Sequence, residues 1–151
     1  MDKVPSRLEA AKQFGADVMI SNAEHDPIAA VRELTGGLGA DVAIEAVGLP
    51  ATFELAADLV RPVGRIANIG VHGKPVTLHL ERLWTRDVTI TTGLVDTYST
   101  PTLLRLLTSR RIGAQRFVTH RYGFDEFMHA YDVFANAADT GALKVVISRA
   151  S

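Results

Sequence analysis

The sequence predicts an α/β fold in which parallel strands alternate with helices. Short apolar runs rich in β-branched residues recur along the 151-residue chain and are separated by amphipathic stretches. Two of these runs, residues 42–47 and 65–71, are apolar almost throughout, which is typical of parallel strands covered on both faces. The short spacing between strand and helix signals is that of right-handed strand–helix–strand units.

Capping signals predict where the helices begin and end. Ser6 and Glu9 have capping-box spacing at the start of a helix over residues 7–14, and Gly15 suits a left-handed helix end. Asp26 followed by Pro27 predicts the start of a second helix. Further helices are expected over 50–60, from Thr100 and over 125–138. The last of these is expected to turn four residues inward: Phe127, Ala130, Tyr131 and Phe134.

Shorter strands are expected over residues 17–20, 88–92, 117–120 and 143–147. Residues 76–80, from Val76 to Leu80, alternate apolar and polar side chains and predict a half-exposed strand with one available edge. The whole pattern indicates a Rossmann-like parallel sheet, truncated at its N-terminus, followed by a short C-terminal α+β segment. We place a partial dinucleotide-binding Rossmann domain at 1–95 and the C-terminal segment at 96–151.

Composition narrows the class of partner. The hydrophobic fraction of 47% and the charged fraction of 22% are those of a globular protein, and the net charge is −1. No basic stripe interleaved with aromatic residues appears, so nucleic acid is not expected as a partner. No apolar run reaches membrane-spanning length, so no membrane association is expected either. The chain has no cysteine, which excludes disulfides and thiolate chemistry and fits a cytoplasmic location.

Several sequence runs resemble one enzyme family. Residues 39–48 read Gly-Ala-Asp-Val-Ala-Ile-Glu-Ala-Val-Gly, residues 91–95 read Thr-Thr-Gly-Leu-Val, and residues 143–147 read Leu-Lys-Val-Val-Ile. In this order and spacing they resemble the C-terminal half of the zinc-dependent medium-chain alcohol dehydrogenases. The resemblance implies an oxidoreductase that transfers hydride between an alcohol and NAD, with NADP disfavoured. The family's zinc ligands lie in its N-terminal domain and include cysteine, so no metal site is expected in this chain.

The resemblance also implies a set of cofactor contacts, although no residue is predicted to be catalytic. Asp2 would hold the adenosine ribose, residues 69–71 and 92–94 would lie at the nicotinamide, and a base in the last strand would meet the pyrophosphate. Each position also has a structural explanation: an exposed terminal acid, turn glycines, core packing or a solvent-facing lysine. The candidate cofactor-binding residues are Asp2, Val47, Gly48, Ile69, Gly70, Val71, Thr92, Gly93, Leu94 and Lys144.

Three further positions carry local expectations. Glu45 lies inside an apolar strand, and a buried charge needs a partner, so a structural hydrogen bond or ion pair is expected and not catalysis. His72 either borders the active-site cleft or is an ordinary loop histidine, and the loop interpretation is preferred. The resembled family usually has Gly-Gly where this chain has Val63-Gly64, so we expect Val63 to take an ordinary backbone conformation.

The sequence leaves alternatives for how the sheet is completed and for what the chain does. Compared with the family, the chain opens after the first strand and the Gly-rich phosphate turn, which leaves strand edges unpaired. We expect residues 18–20 to pair with 42–47, or another chain to complete the sheet. A strand similar to 76–80 pairs across a two-fold axis in the family, which predicts a homodimer. Two functions are compared: the cofactor-binding portion of a dehydrogenase, inactive alone, or a non-catalytic module for dimerisation or weak nucleotide binding.

Overall fold

The computed structural model describes residues 1–94 and 97–149. Their helices and strands alternate along the chain, with short 3₁₀ turns at Trp84–Arg86, Ala114–Phe117 and Phe124–Glu126. The helices and strands are α1 Pro5–Gln13, α2 Pro27–Leu34, β1 Ala40–Glu45, α3 Pro50–Leu59, β2 Val60–Asn68, α4 Leu80–Leu83, β3 Thr89–Thr92, α5 Thr100–Thr108, β4 Val118–Gly123, α6 Phe127–Ala135, α7 Ala137–Thr140 and β5 Lys144–Ser148.

The chain divides into two compact units. The first contains Met1 and Ile20–Val95, and the second contains Asp2–Met19 and Asp96–Ser151. Helices α2, α3 and α4 and strands β1 to β3 belong to the first unit, and the remaining elements belong to the second. The predicted domain limits, 1–95 and 96–151, stay a prediction.

The first unit is built on a parallel three-stranded sheet in the order β1-β2-β3. Helix α3 buries Phe53 and Ala56 against one face of this sheet, where they meet Ala43, Val60 and Ile66. Ile66 is completely buried, so the core is centred under the middle strand. The predicted α/β, Rossmann-like parallel sheet is confirmed.

Strand β1 departs from its prediction. It ends at Glu45, and its side chains alternate in burial: Ala43 and Glu45 are buried, whereas Val42 and Ile44 are 52% and 66% exposed. The expectation that both faces would be covered is therefore wrong. An apolar run fits a strand with two covered faces, but this chain supplies a helix on one face.

Two predicted strands do not form. Residues 17–20 are irregular, although Ile20 is buried, and they do not pair with β1. Residues 76–80 also lie outside every strand and lead into α4. A strand requires a neighbour for its hydrogen-bond ladder, and no described segment lies in register beside either one. Both predictions, and the re-pairing of 18–20 with 42–47, are wrong for the single chain.

The backbone at the start of β2 also differs from its prediction. Val63 has a φ of 63°, in the left-handed region, so the expectation of an ordinary backbone conformation is wrong. The pairing of β1 with β2 skips from Val60 to Arg65, which leaves a bulge of four residues. The path of this bulge requires the left-handed conformation that glycine adopts without steric cost. The valine side chain is 68% exposed, so it makes little packing in return.

The second unit contains the parallel pair β4–β5, α1, and helices α5 to α7. Its core is formed by Val133, Ala137 and Ala142, packed against Tyr122 and Val145. In α6, Ala130 is buried as predicted. The inward placement of its three aromatic residues is wrong, since Phe127, Tyr131 and Phe134 are exposed.

Helix α1 begins one residue before Ser6, so the predicted capping box is also wrong. Pro5 occupies the first helical turn, and the Asp2 carboxylate accepts a hydrogen bond from the Val4 amide (2.9 Å) instead. Gly15 is left-handed, at φ 97°, as expected for a helix end. At the second helix, Asp26 caps as predicted and accepts from the Ile28 amide at 2.9 Å.

Candidate cofactor-binding site

The carboxyl ends of the three parallel strands lie side by side. In register, Glu45 at the end of β1 is paired with Asn68 at the end of β2, and Asn68 with Thr92 at the end of β3. Ligands of open α/β sheets collect at this edge. Eight of the ten predicted cofactor contacts lie on it or in the loops that follow: Val47, Gly48, Ile69, Gly70, Val71, Thr92, Gly93 and Leu94.

Apolar side chains are exposed along this edge. Val47 and Ile69 are 63% and 59% exposed, and Val71 and Leu94 are 81% and 83% exposed. Four large apolar groups in the loops after adjacent strands are more than a single scattered exposed residue. They offer a surface on which a flat, weakly polar ring can pack.

The loops after β1 and β2 touch through their glycines. A Cβ on Gly48, whose φ is 84°, would lie 2.2 Å from the Val71 carbonyl oxygen. A Cβ on Gly70 would lie 2.3 Å from Glu45 Oε2 and 2.4 Å from the Gly48 nitrogen. Glycine is therefore required at both positions by the close approach of the two loops. At Gly93, by contrast, an added Cβ would meet open space.

The Glu45 side chain is fully enclosed and lies where the two loops meet. Its Oε1 accepts hydrogen bonds from the amides of Val47 and Gly48, both at 2.8 Å, and from the Thr52 hydroxyl at 2.7 Å. Its Oε2 lies 3.3 Å from Nε2 of His72. The expected structural hydrogen bond or ion pair at Glu45 is confirmed.

The electrostatics of this cluster favour the charged carboxylate. Burial raises the pKa of Glu45, but the Gly48 amide, the Thr52 hydroxyl and the Val47 amide together lower it, with a smaller contribution from His72. The net result is a pKa below the usual value of 4.5. Donors placed around one carboxylate oxygen stabilise the anion more than burial destabilises it.

His72 lies in the loop after β2, as preferred from the sequence. Its Nε2 faces two acceptors, the Asn68 side-chain oxygen at 2.9 Å and Glu45 Oε2. Nε2 must therefore carry a hydrogen, because neither neighbouring oxygen can donate. The Asn68 amide nitrogen in turn donates to the Gly70 carbonyl at 3.3 Å, which extends the network into the glycine loop.

The other two predicted contacts belong to the second unit. Asp2 is partly buried, and its second carboxylate oxygen lies 4.0 Å from the Arg7 guanidinium. Lys144 is exposed at the first position of β5. Among the residues that the structure describes, this long contact is the one ion pair of Asp2, and the Lys144 side chain makes none.

Within the described ranges 1–94 and 97–149, no three His, Asp or Glu side chains come together as ligands for a metal ion. The same residues include no helix that could span a bilayer.

The family described as zinc-binding dehydrogenase matches residues 1–109. This chain belongs to that family. The resemblance expected from the sequence is confirmed.

Three longer proteins illustrate what this chain is similar to. An alcohol dehydrogenase of Cupriavidus necator is 37% identical over 145 residues, which cover 93% of this chain and 39% of the relative. An L-threonine 3-dehydrogenase of Pyrococcus horikoshii is 32% identical over 139 residues, which cover 89% and 40%. The solved zinc dependent alcohol dehydrogenase 2 from Streptococcus pneumonia is 44% identical with a TM-score of 0.93, covering 99% of this chain and 44% of that one. The chain spans about two fifths of the length of these curated relatives.

The sequence indicated a partner for Glu45 but not which one. Thr52 and His72 lie seven and 27 positions further along the chain, and the fold brings them to Glu45 through the α3 start and the β2 loop. The sequence signal available was a charged residue followed by Gly48, with a second glycine, Gly70, at the next strand end.

Proposed function

We propose that this chain is the cofactor-binding portion of an NAD-dependent alcohol dehydrogenase. The proposal rests on one observation, the exposed apolar side chains at the carboxyl ends of three adjacent parallel strands. A nicotinamide ring is flat and needs an apolar wall on one face, with backbone polar groups for its carboxamide. Val71 supplies the wall, and residues 92–94 supply the backbone.

When bound, NAD would accept a hydride from the alcohol carbon, which is chemistry of the cofactor. The residues of this chain would bind and orient it. Val47, Ile69 and Val71 would exclude water from one ring face, and Asp2 would accept hydrogen bonds from the adenosine ribose. A carboxylate there repels a 2′-phosphate, which favours NAD over NADP. Lys144 would neutralise a pyrophosphate charge.

The described residues do not fit a zinc site. No step is therefore assigned to zinc in this chain. We propose that the chain alone binds NAD without oxidising alcohols, since polarisation of the substrate oxygen would need groups from elsewhere. The absence of cysteine supports a cytoplasmic location.

Calorimetry tests the proposal directly. NAD and NADP are titrated into the chain, and alcohol oxidation is then assayed with added zinc. We expect saturable NAD binding, weaker NADP binding and no turnover. Turnover would show that catalytic groups lie in this chain. Absence of NAD binding together with stable self-association would favour the second candidate, a non-catalytic module for dimerisation.

That second candidate has its own observation. Residues 76–80 lie outside every strand of the single chain, yet Leu78 and Leu80 are 46% and 60% exposed. Exposed apolar side chains on and just before the short helix α4 offer a surface that a second copy of the chain can cover. We propose that this segment joins two copies in a homodimer, which light scattering at micromolar concentration measures as a doubled mass.

A further inference from the structure

Glu45 connects the two loops that carry most of the candidate nicotinamide contacts. Its carboxylate holds the amides of Val47 and Gly48 in the loop after β1. Its main-chain carbonyl accepts from the amides of Ile69 (2.8 Å) and Gly70 (3.1 Å) in the loop after β2. Glu45 thus accepts hydrogen bonds from four backbone amides in two loops. Its side chain accepts from two amides of the first loop, and its main-chain carbonyl accepts from two amides of the second.

We infer that Glu45 is a positioning residue for the nicotinamide end of the cofactor, acting through these loops with His72 as its partner. The inference rests on the proposed function, because it needs NAD to bind at this edge. Glu45 is enclosed and does not touch the exposed surface itself. It acts on the ligand only through the backbone that it holds, which distinguishes it from a binding residue.

The chemistry requires a carboxylate and not an amide. Oε1 already accepts from three donors, and an amide oxygen in its place could still do so. Oε2, however, lies 3.3 Å from His72 Nε2, which carries a hydrogen, and Oε2 accepts no hydrogen bond from a described residue. In Glu45→Gln an NH₂ group would meet this N–H, so two donors would oppose each other. His72 would have to change tautomer and give up its bond to Asn68, which holds the Gly70 carbonyl.

The expected effect is confined to one end of the cofactor. The described side-chain partners of Glu45 all lie in the first unit, whereas Asp2 and Lys144 belong to the second. ADP-ribose shares the adenosine, the pyrophosphate and the second ribose with NAD but lacks the nicotinamide. A residue that positions the nicotinamide loops should therefore change NAD affinity and leave ADP-ribose affinity unchanged, whereas general destabilisation would weaken both.

The test compares NAD and ADP-ribose titrations for wild type, Glu45→Gln, His72→Phe and the control Glu33→Gln. Glu33 is exposed on α2 and has no side-chain hydrogen bond or ion pair among the described residues, so its change removes the same charge without touching the loops. We expect Glu45→Gln to lower NAD affinity about tenfold, as for the loss of one hydrogen bond, between His72 and Asn68, in the network that holds the loops. His72→Phe should shift NAD affinity in the same direction, and ADP-ribose affinity should change less than about twofold in every variant.

Amide hydrogen exchange without cofactor keeps the inference separable from the proposed function. Faster exchange at Gly48 and Gly70 in Glu45→Gln, but not in Glu33→Gln, would support the bridging role. Equal losses of NAD and ADP-ribose affinity, or unchanged exchange with unchanged NAD affinity, would overturn the inference while NAD binding by the wild type still supported the proposed function. A wild type that binds neither ligand would overturn the proposed function and the positioning role with it.

Discussion

Val63 in β2 has a backbone conformation whose energetic cost can be measured. It is a β-branched residue at φ 63°, and the left-handed conformation costs an L-residue about 1–2 kcal/mol. The side chain is 68% exposed, so its removal loses little packing. Glycine adopts this conformation freely but loses more entropy on folding, by about 0.5–1 kcal/mol. We therefore expect Val63→Gly to stabilise the chain by up to about 1 kcal/mol.

Thermal unfolding followed by circular dichroism measures this change. For a chain of this size, 1 kcal/mol corresponds to a rise in Tm of about 2–4 °C. Val63→Asn should give a smaller rise, because asparagine tolerates the left-handed region, and Val63→Ala should change little because alanine keeps the Cβ. This ranking of glycine, asparagine and alanine depends on backbone conformation and not on side-chain size.

Val18 is the matched control for a valine-to-glycine change. It is 52% exposed, lies outside any helix or strand, and is not among the residues with positive φ. Val18→Gly should lower the Tm, because it adds chain entropy to the unfolded state without relieving strain. If Val63→Gly lowered the Tm as much as Val18→Gly, the left-handed conformation at Val63 would be refuted.

Three further predictions concern charge, cofactor choice and assembly. The pKa of folded Glu45 lies below its usual 4.5, so its stabilisation is present above that pH and is lost as pH falls through the folded value. The stability difference between wild type and Glu45→Gln, from urea unfolding, should therefore shrink as the pH falls below 4.5. Asp2→Ser should weaken NAD binding and lower the ratio of NAD affinity to NADP affinity about tenfold. The variant has no carboxylate to accept hydrogen bonds from the ribose or to repel a 2′-phosphate. Leu78→Asp should convert a dimer to a monomer in light scattering, because it places a charge in the proposed apolar interface.

The charge and assembly predictions have control variants in the chain, and the cofactor prediction has an outcome that would contradict it. Glu33→Gln should show a stability difference that varies little with pH, since its carboxylate is exposed. A similar NAD preference in Asp2→Ser and wild type would remove Asp2 from the ribose contact. For assembly, Leu38→Asp changes an equally apolar residue, 69% exposed, outside the proposed interface. Dissociation by both aspartate variants would argue against a specific role for residues 76–80.

Local signals predicted the elements that depend on nearby residues. Asp26 with Pro27 marks the start of α2, and Gly15 marks the end of α1, because caps act within one helical turn. The order of the apolar runs along the chain was enough to predict the parallel sheet of β1 to β3. At α1 the predicted capping box was wrong. Ser6 and Glu9 have the spacing of a capping box, but the helix already begins at Pro5.

Features that depend on a neighbouring strand could not be read locally. The run 42–47 has the composition of a doubly covered strand, but composition does not reveal whether the cover comes from the same chain. Residues 17–20 and 76–80 have strand-like composition without a neighbour in register. At the candidate site, the unusual charge of Glu45 was visible, but its link to His72 depends on the register of β1 with β2.

Strand β1 combines exposed apolar side chains with an unpaired edge among the described strands, and this combination affects how the protein behaves in concentrated samples. Val42 and Ile44 are exposed on a strand whose outer edge has no hydrogen-bonded neighbour among the described strands. Such a border is a nucleus for strand addition between molecules, so concentrated samples should be prone to fibrillar aggregation. Val42→Lys should raise the protein concentration at which turbidity develops. A peptide that pairs with the free edge of β1 should have the same effect.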